Sequence, residues 1–161
     1  MNNQVLTLSA EIAKPFEGLH KLVGNTVYAY HDPVGYPTIG YGHLLIKKAW
    51  DDLSKYAPIT IPQAEELLGK DMSYSAMRAL ALSPILSEPE NLYRWASITD
   101  FCFNCGDGNY SISTLRKKVN SENWVEAAEQ ILKWNKADGK VLAGLTKRRY
   151  AESILLTKPF K

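Results

Sequence analysis

Residues 31 to 43, HDPVGYPTIGYGH, form the segment that most restricts the possible folds of this chain. Prolines and glycines recur there too closely for a continuous helix, because proline interrupts helical hydrogen bonding and glycine adopts conformations that other residues avoid. The preceding VYAY is strand-like, DPVG is typical of a turn, and PTIGYG is compatible with extended chain. The region from Val23 to Gly42 therefore predicts a short antiparallel sheet.

The N-terminal segment has a different pattern, which is helical. Apolar residues recur there at spacings of three and four: Val5, Leu8, Ile12 and Phe16. Ser9 is a possible helix cap, and Gly18 is a plausible stop. This places Glu17 at the end of the predicted helix, next to the glycine-rich segment.

Helical patterns also fill most of the chain after residue 60. Thr60 and Gln63 form a capping-box pair, and the apolar face that follows predicts a helix of about five turns. The segment SPILSEPEN breaks it, and further helices are expected from about Leu92 to Cys105 and from Ser113, Ser121 and Thr146. The pattern predicts an α+β fold in one domain, residues 1–161. Its parts are a sheet lobe (about 17–60), a connecting helix (about 61–80) and a helical lobe (about 81–161, with the N-terminal helix). Ligand sites commonly lie in a cleft between two such lobes.

Charge and hydropathy exclude some classes of function. The net charge of +2 does not argue for nucleic acid. The segment from Lys133 to Lys161 carries eight basic and two acidic residues, so it could contact an anionic envelope, although a solvated helix face accounts for most of these charges. No apolar run reaches the ~18 residues that a membrane span needs. The first residues lack the pattern of a signal peptide, so a cytosolic location is expected.

The cysteines do not predict a metal or redox site. Cys102 and Cys105 form a lone CxxC near the end of a helical pattern, and the histidines lie far upstream without ligand spacing. Two core thiols one helical turn apart is the favoured interpretation.

Three polar residues border the glycine-rich segment: Glu17, Asp32 and Thr38. Taken singly, a carboxylate at a helix end or a turn is more often a cap or an Asx turn. A pair of carboxyl groups, one protonated and one ionised, is however what cleavage of a glycosidic bond requires.

These residues stand in a recognisable motif. It reads Glu17-Gly18, then Tyr30-x-Asp32-x-x-Gly35-x-x-Thr38-Ile39-Gly40-x-Gly42-His43. The motif resembles that of the tailed-phage lysozymes, the endolysin family that includes the lysozyme of T-even phages. Later blocks are similar too: Phe103-Asn104-x-Gly106, Ser113-Thr114-Leu115 with Asn120, Trp134, and Gly144-Leu145-x-x-Arg148-Arg149-x-x-Glu152. The resemblance runs from about Phe16 to Leu156.

The resemblance implies a lysozyme-like fold and a catalytic triad of Glu17, Asp32 and Thr38. It implies a muramidase that hydrolyses the β-1,4 bond between N-acetylmuramic acid and N-acetylglucosamine in bacterial peptidoglycan and so lyses the host. Glu17 would be the general acid, while Asp32 and Thr38 would hold a water whose attack inverts the anomeric centre. No metal or organic cofactor is implied. A monomer is expected, held in the host cytoplasm and released to the cell wall through a separate membrane pore.

The resemblance also suggests supporting residues. Arg148 could hydrogen-bond Glu17, and His43 is expected to pair with a carboxylate or a backbone group in a structural role. Substrate-binding candidates are Tyr36, Tyr41 and Asn104, although one of the two tyrosines is as compatible with a core position. His31 is expected at the surface, because strand alternation points it away from the side of Asp32.

One departure and two alternatives stay open. The interval between Glu17 and Asp32 is longer than in compact members of the family, which leaves Glu11 as a weaker candidate for the acid. A lytic transglycosylase would need the acid without the water-holding pair. A non-catalytic protein that binds the cell wall or another anionic surface would need neither.

Overall fold

The structure is a computed structural model that describes residues 3–159, and within this range it contains seven α-helices and eight short strands. The helices are α1 (Asn3–Glu17), α2 (Ile61–Leu82), α3 (Leu92–Cys105), α4 (Asp107–Ile112), α5 (Thr114–Asn120), α6 (Trp124–Leu132) and α7 (Ala143–Thr157). The strands are β1 (Leu22–Val23), β2 (Thr26–Val27), β3 (Tyr30–His31), β4 (Pro37–Ile39), β5 (His43–Leu44), β6 (Ile59–Thr60), β7 (Lys136–Ala137) and β8 (Lys140–Val141). The predicted α+β class is confirmed.

The chain forms two compact units. The smaller comprises residues 17–71, and the larger comprises the described residues before and after it. Both receive part of α2, which continues from the smaller unit into the larger. The division into a single catalytic domain with a connecting helix stays a prediction.

The smaller unit contains two three-stranded antiparallel sheets, in the orders β1-β2-β6 and β3-β4-β5. Its core consists of Val27, Ile39 and Ala64, all buried. Strand β4 passes so close to α2 that a methyl group added at Gly40 would lie 3.2 Å from Cβ of Ala64. A side chain there would crowd Ala64 and would strain the backbone at the φ of +67°, so glycine is favoured. The predicted short antiparallel sheet is confirmed.

The beginning of α2 has the capping box that the sequence predicts. The backbone N–H of Gln63 donates to Oγ1 of Thr60 (3.3 Å), and the backbone N–H of Thr60 donates to Oε1 of Gln63 (2.8 Å). These bonds satisfy two donors that would otherwise lack partners at the start of the helix. The position where α2 starts therefore follows from local sequence.

The larger unit is built around a core of buried side chains from α2, α3 and the helices that follow. Its main members are Ala79, Leu86, Ile98, Phe101, Cys102, Tyr110, Leu115, Val119, Ala127, Ile131 and Leu156. Cys102 is buried and Cys105 half-buried, and both thiols are free, as expected for core cysteines. Burial raises the pKa of both thiols, which makes them poor nucleophiles.

Several local predictions for this unit are wrong. Ser9 lies in the middle of α1, where its buried hydroxyl donates to the carbonyls of Val5 (2.7 Å) and Ala96 (3.2 Å), so it does not cap the helix. Helix α7 begins at Ala143 rather than Thr146, and the β7–β8 hairpin and α4 had no counterpart in the predicted pattern. Two-residue strands are too short to show an alternating pattern.

The basic C-terminal segment separates into two sets of residues. The exposed lysines are Lys133, Lys136, Lys140, Lys147 and Lys158. Arg148 and Arg149 are instead buried, at 2% and 0% exposure. Within residues 3–159, no helix is both long and apolar enough to cross a bilayer.

Candidate active site

Glu17 is the last residue of α1, and Gly18 ends the helix with a left-handed φ of +66°. Its side chain is half-buried. A methyl group added at Gly42 would lie 3.7 Å from Oε2 of Glu17, so the carboxyl group faces the glycine-rich segment that ends at His43. The predicted helix stop at Gly18 is confirmed.

Asp32 is held by the turn that follows β3. Its Oδ1 accepts hydrogen bonds from the backbone N–H groups of Val34 (3.0 Å) and Tyr36 (2.8 Å). The backbone of the turn closes on itself, because Asp32 N–H donates to the carbonyl of Tyr36 (3.0 Å) and Gly35 N–H donates to the carbonyl of Asp32 (2.9 Å). The carboxylate is therefore fixed through Oδ1, which leaves Oδ2 to meet another molecule.

Thr38 lies in the middle of β4 and is 4% exposed. Its hydroxyl donates to the carbonyl of Tyr36 at 2.9 Å, in the same turn that holds Asp32. Since this bond uses the hydroxyl proton, the oxygen keeps lone pairs that can accept. In the sheet, Thr38 pairs with Tyr30 of β3 and Leu44 of β5.

Tyr30 is influenced by the charges of both carboxyl groups, and no role was predicted for it. Burial raises the pKa of its phenol, and the negative charges of Glu17 and then Asp32 raise it further. Both carboxyl groups therefore lie within electrostatic reach of one phenol. The only sequence signal for Tyr30 was its place at the head of the motif.

His43 has the carboxylate partner that a structural role requires. Its Nδ1 lies 2.9 Å from Oδ2 and 3.1 Å from Oδ1 of Asp71, with both side chains 30% exposed. Asp71 lies on α2, 28 positions along the chain, so no local pattern pointed to it. The structural role of His43 stays a prediction, now with a named partner.

Arg148 and Asn104 belong to the larger unit. Arg148 forms a bidentate pair with buried Asp100, from Nε to Oδ2 (3.0 Å) and from Nη2 to Oδ1 (2.8 Å). Oδ1 of Asn104 accepts from Nη2 of Arg149 at 2.9 Å. Asp100 and Arg149 were not recognised as parts of this network. The predicted bond from Arg148 to Glu17 stays a prediction, as does sugar binding by Asn104.

The phage lysozyme family model matches residues 15–152. The chain belongs to the phage lysozyme family. It is 29% identical to the endolysin of Salmonella phage P22 over 134 residues, which cover 83% of this chain and 89% of that protein. It is 33% identical to an endolysin from Acyrthosiphon pisum secondary endosymbiont phage 1, over 89% of this chain and 91% of that protein. The predicted family is confirmed, and with it the class of lysozyme-type glycoside hydrolases.

Solved structures agree with this assignment. The muramidase domain of SpmX from Asticaccaulis excentricus is 28% identical and superimposes with a TM-score of 0.74, over 94% of this chain and 95% of that domain. An endolysin from Escherichia coli O157:H7 phage FAHEc1 is 27% identical with a TM-score of 0.73, over 97% and 92%. The lysozyme-like fold is confirmed. The chain spans only half the length of another relative, the Bacillus phage B103 endolysin, to which it is 33% identical.

The two tyrosines proposed for sugar contact differ in burial in this phage lysozyme. Tyr36 is 37% exposed, in the turn next to Asp32. Tyr41 is half-buried and packs against the core of the smaller unit, which matches the expectation that one of the two would be a core residue. Their contact with substrate stays a prediction.

The prediction that His31 lies at the surface is wrong for this phage lysozyme. His31 is half-buried, and its Nε2 lies 2.9 Å from the carbonyl oxygen of Asp51. Strand alternation predicts the direction of a side chain, but it does not predict whether a distant loop covers that side chain. Here the segment after β5 folds back over His31 and places Asp51 beside β3.

The shared electrostatic environment of the two carboxyl groups can be tested through Tyr30 of this phage lysozyme. We expect Glu17→Gln to lower the Tyr30 pKa and Asp32→Asn to lower it by less, because Glu17 raises that pKa more strongly than Asp32 does. NMR titration of ring-labelled tyrosine, assigned with Tyr30→Phe, measures the shift. Asp52→Asn is the control, because it removes an exposed carboxylate of the same unit. If it shifted the Tyr30 pKa as much as Glu17→Gln does, the shared environment of Glu17, Asp32 and Tyr30 would be contradicted.

Proposed function

We propose that this protein is an endolysin muramidase that hydrolyses the β-1,4 bond between N-acetylmuramic acid and N-acetylglucosamine in bacterial peptidoglycan and lyses the host cell. The observation that carries the proposal is that one glycine-rich segment holds Asp32 through Oδ1 and Thr38 through its hydroxyl, and that the Glu17 carboxyl group faces the same segment at Gly42. Family membership and relatives named endolysin support it.

In the proposed reaction Glu17 is the general acid, and it protonates the departing glycosidic oxygen. A water donates one hydrogen bond to Oδ2 of Asp32 and one to Oγ1 of Thr38. Both acceptors are oriented before substrate binds, since Asp32 is held through Oδ1 and the Thr38 hydroxyl proton is already donated to Tyr36. The water then has a lone pair directed at the anomeric carbon. As this water attacks, it forms the new C–O bond, the bond to the protonated leaving oxygen breaks, and one water proton passes to Asp32 as general base, so the configuration inverts.

Analysis of the digestion products tests both the bond and the mechanism. Peptidoglycan digested by the enzyme is reduced with borohydride and hydrolysed to amino sugars. A muramidase yields reduced muramic acid, whereas cleavage of the other glycosidic bond yields reduced glucosamine. Proton NMR of the first products should show the α-anomer, as inversion of a β-linkage requires.

The same analysis separates the proposal from a lytic transglycosylase. A transglycosylase closes a 1,6-anhydro ring, which borohydride does not reduce. Mass spectrometry of the products before hydrolysis to amino sugars would detect 1,6-anhydro-N-acetylmuramic acid ends, and their recovery as the main product would replace the hydrolase by the transglycosylase. The presence of the proposed water-holding pair, Asp32 and Thr38, favours hydrolysis.

The route to the wall, the oligomeric state and the contact with the envelope are further proposals. We infer release from the host cytoplasm through a separate pore, and lysis timing with and without co-expression of a pore protein would test this.

Some relatives are named SAR-endolysin, for example that of bacteriophage PS34, which is 31% identical over 123 residues. Lysis without the pore protein would therefore favour the alternative, in which the chain itself is exported. Sedimentation would test the monomer, and binding to anionic vesicles would test the exposed lysines.

A further inference from the structure

All four tryptophans lie within residues 3–159, and among them Trp50 is the only one that is largely exposed, at 70%. The other three, Trp95, Trp124 and Trp134, are partly buried and pack against the core of the larger unit. The indole of Trp50 therefore offers a large apolar aromatic surface to solvent.

The backbone of Trp50 is held in an unusual conformation. Its φ is +59°, in the left-handed region that bulky residues rarely adopt. Its N–H donates to the carbonyl of Gly35 at 2.8 Å, which ties the residue to the turn that carries Asp32. Such strained residues persist where the surroundings over-determine them, and they cluster at functional sites.

The indole ring is seated on the same turn. A methyl group added at Gly35 would lie 2.5–2.9 Å from three carbon atoms of the ring, closer than any side chain can pack. The ring of His31 lies 5.1 Å away between centroids. Part of the indole is therefore supported by Gly35 and His31, while most of its surface faces outward.

The residues that follow hold this loop in place. The nearly buried carboxylate of Asp51 accepts from Lys48 (2.9 Å), Lys55 (2.9 Å) and the Tyr56 hydroxyl (3.0 Å). The Asp51 carbonyl contacts His31 as described above. The backbone of Trp50 is thus anchored at Gly35 and next to Asp51, and a residue held in place before binding lowers the entropy cost of stacking on it.

We propose that Trp50 is a sugar-stacking residue that binds a pyranose ring of the peptidoglycan glycan strand beside the turn of Asp32. A flat, apolar, rigid indole surface suits the C–H face of a pyranose, and aromatic stacking contributes affinity beyond the area it buries. This inference rests on the proposed muramidase function, and it assigns Trp50 to substrate affinity rather than to bond cleavage. The competing role is purely structural, in which the ring only braces the Asp32 turn.

Steady-state kinetics on soluble, peptide-free glycan strands separate these roles. We expect Trp50→Ala to raise KM about three- to tenfold with kcat within twofold of wild type, and Trp50→Phe to keep most of the affinity. Tyr150→Ala is the matched control, since Tyr150 is 62% exposed on α7 of the other unit. An unchanged KM, or a fall in kcat at constant KM, would overturn the proposal.

A binding measurement keeps the inference separate from the proposed activity. In the Glu17→Gln background, tryptophan fluorescence is titrated with N-acetylglucosamine oligomers of four to six sugars, roughly the span of an extended site. The fluorescence change should disappear when Trp50→Phe is added, and persist when Tyr150→Ala is added. Fluorescence changes that survive Trp50→Phe would refute stacking on Trp50. Failure of the wild type to cleave peptidoglycan would refute the muramidase instead.

Discussion

Replacing Glu17 by glutamine is expected to lower the rate of peptidoglycan hydrolysis by at least ~10²- to 10⁴-fold, the range that general acid catalysis contributes. Glutamine keeps the size and polarity of the side chain but has no proton to give to the departing oxygen. The fold should persist, because Glu17 is a half-buried residue at the end of α1 rather than part of a core cluster. Clearing of a peptidoglycan suspension measures the rate, and circular dichroism checks the fold.

Glu11→Gln is the matched control for this experiment. Glu11 lies on the same helix, is exposed, and was the weaker candidate for the acid, so its replacement should leave the rate unchanged. If Glu17→Gln retained full clearing while Glu11→Gln lost it, the acid would have been assigned to the wrong residue. If both variants retained full biological activity, the non-catalytic binding protein would be the better description.

Replacing Arg149 by methionine is expected to lower the free energy of unfolding by about 3–5 kcal/mol, as is usual when one partner of a buried ion pair is removed. Arg149 is fully buried and donates to Oε1 of Glu152 (2.6 Å), Oδ1 of Asn104 (2.9 Å) and Sγ of Cys105 (2.7 Å). Glu152 is also fully buried. Methionine fills a similar volume, so the loss reports the weakened pairing of Glu152, which keeps only the more distant Arg148 at 3.9 Å, more than a cavity.

The pH dependence of that loss follows from Glu152. Burial raises the pKa of Glu152 well above its usual value, and Arg149 opposes this shift, so removing Arg149 raises the pKa further. A raised carboxyl pKa costs stability as pH rises from the unfolded pKa, ~4.3, to the folded pKa. Wild type shares the raised pKa, so the difference between variant and wild type opens only above the folded pKa of Glu152 in wild type. It should therefore be larger near about pH 9 than near about pH 4, by urea unfolding. Lys70→Gln, which breaks the exposed pair with Glu66, should change stability little at either pH. If Arg149→Met lowered the free energy of unfolding as little as Lys70→Gln does, the prediction would be contradicted.

Features that depend on neighbouring residues could be read from the sequence. The capping box of Thr60 and Gln63 begins α2 where expected, and α3 has the predicted bounds, Leu92–Cys105. The turn at Asp32 was also predictable, since an aspartate followed by proline and glycine can bond its own backbone. These interactions join residues that are close together in the sequence, so local sequence patterns predict them.

What the tertiary structure decided is the set of partners around those local elements. His43 contacts Asp71, 28 positions away in the sequence, and Arg148 pairs with Asp100, 48 positions away. Periodic patterns of residues do not extend over such separations. The seat of Trp50 on Gly35 likewise depends on a loop that folds back over β3. The sequence by itself determined α2, α3, the turn at Asp32 and the family motif, because each depends on residues close together in the chain. Only the tertiary structure determined which buried charges are paired and which indole ring stays exposed. Both depend on contacts between residues that are far apart in the sequence.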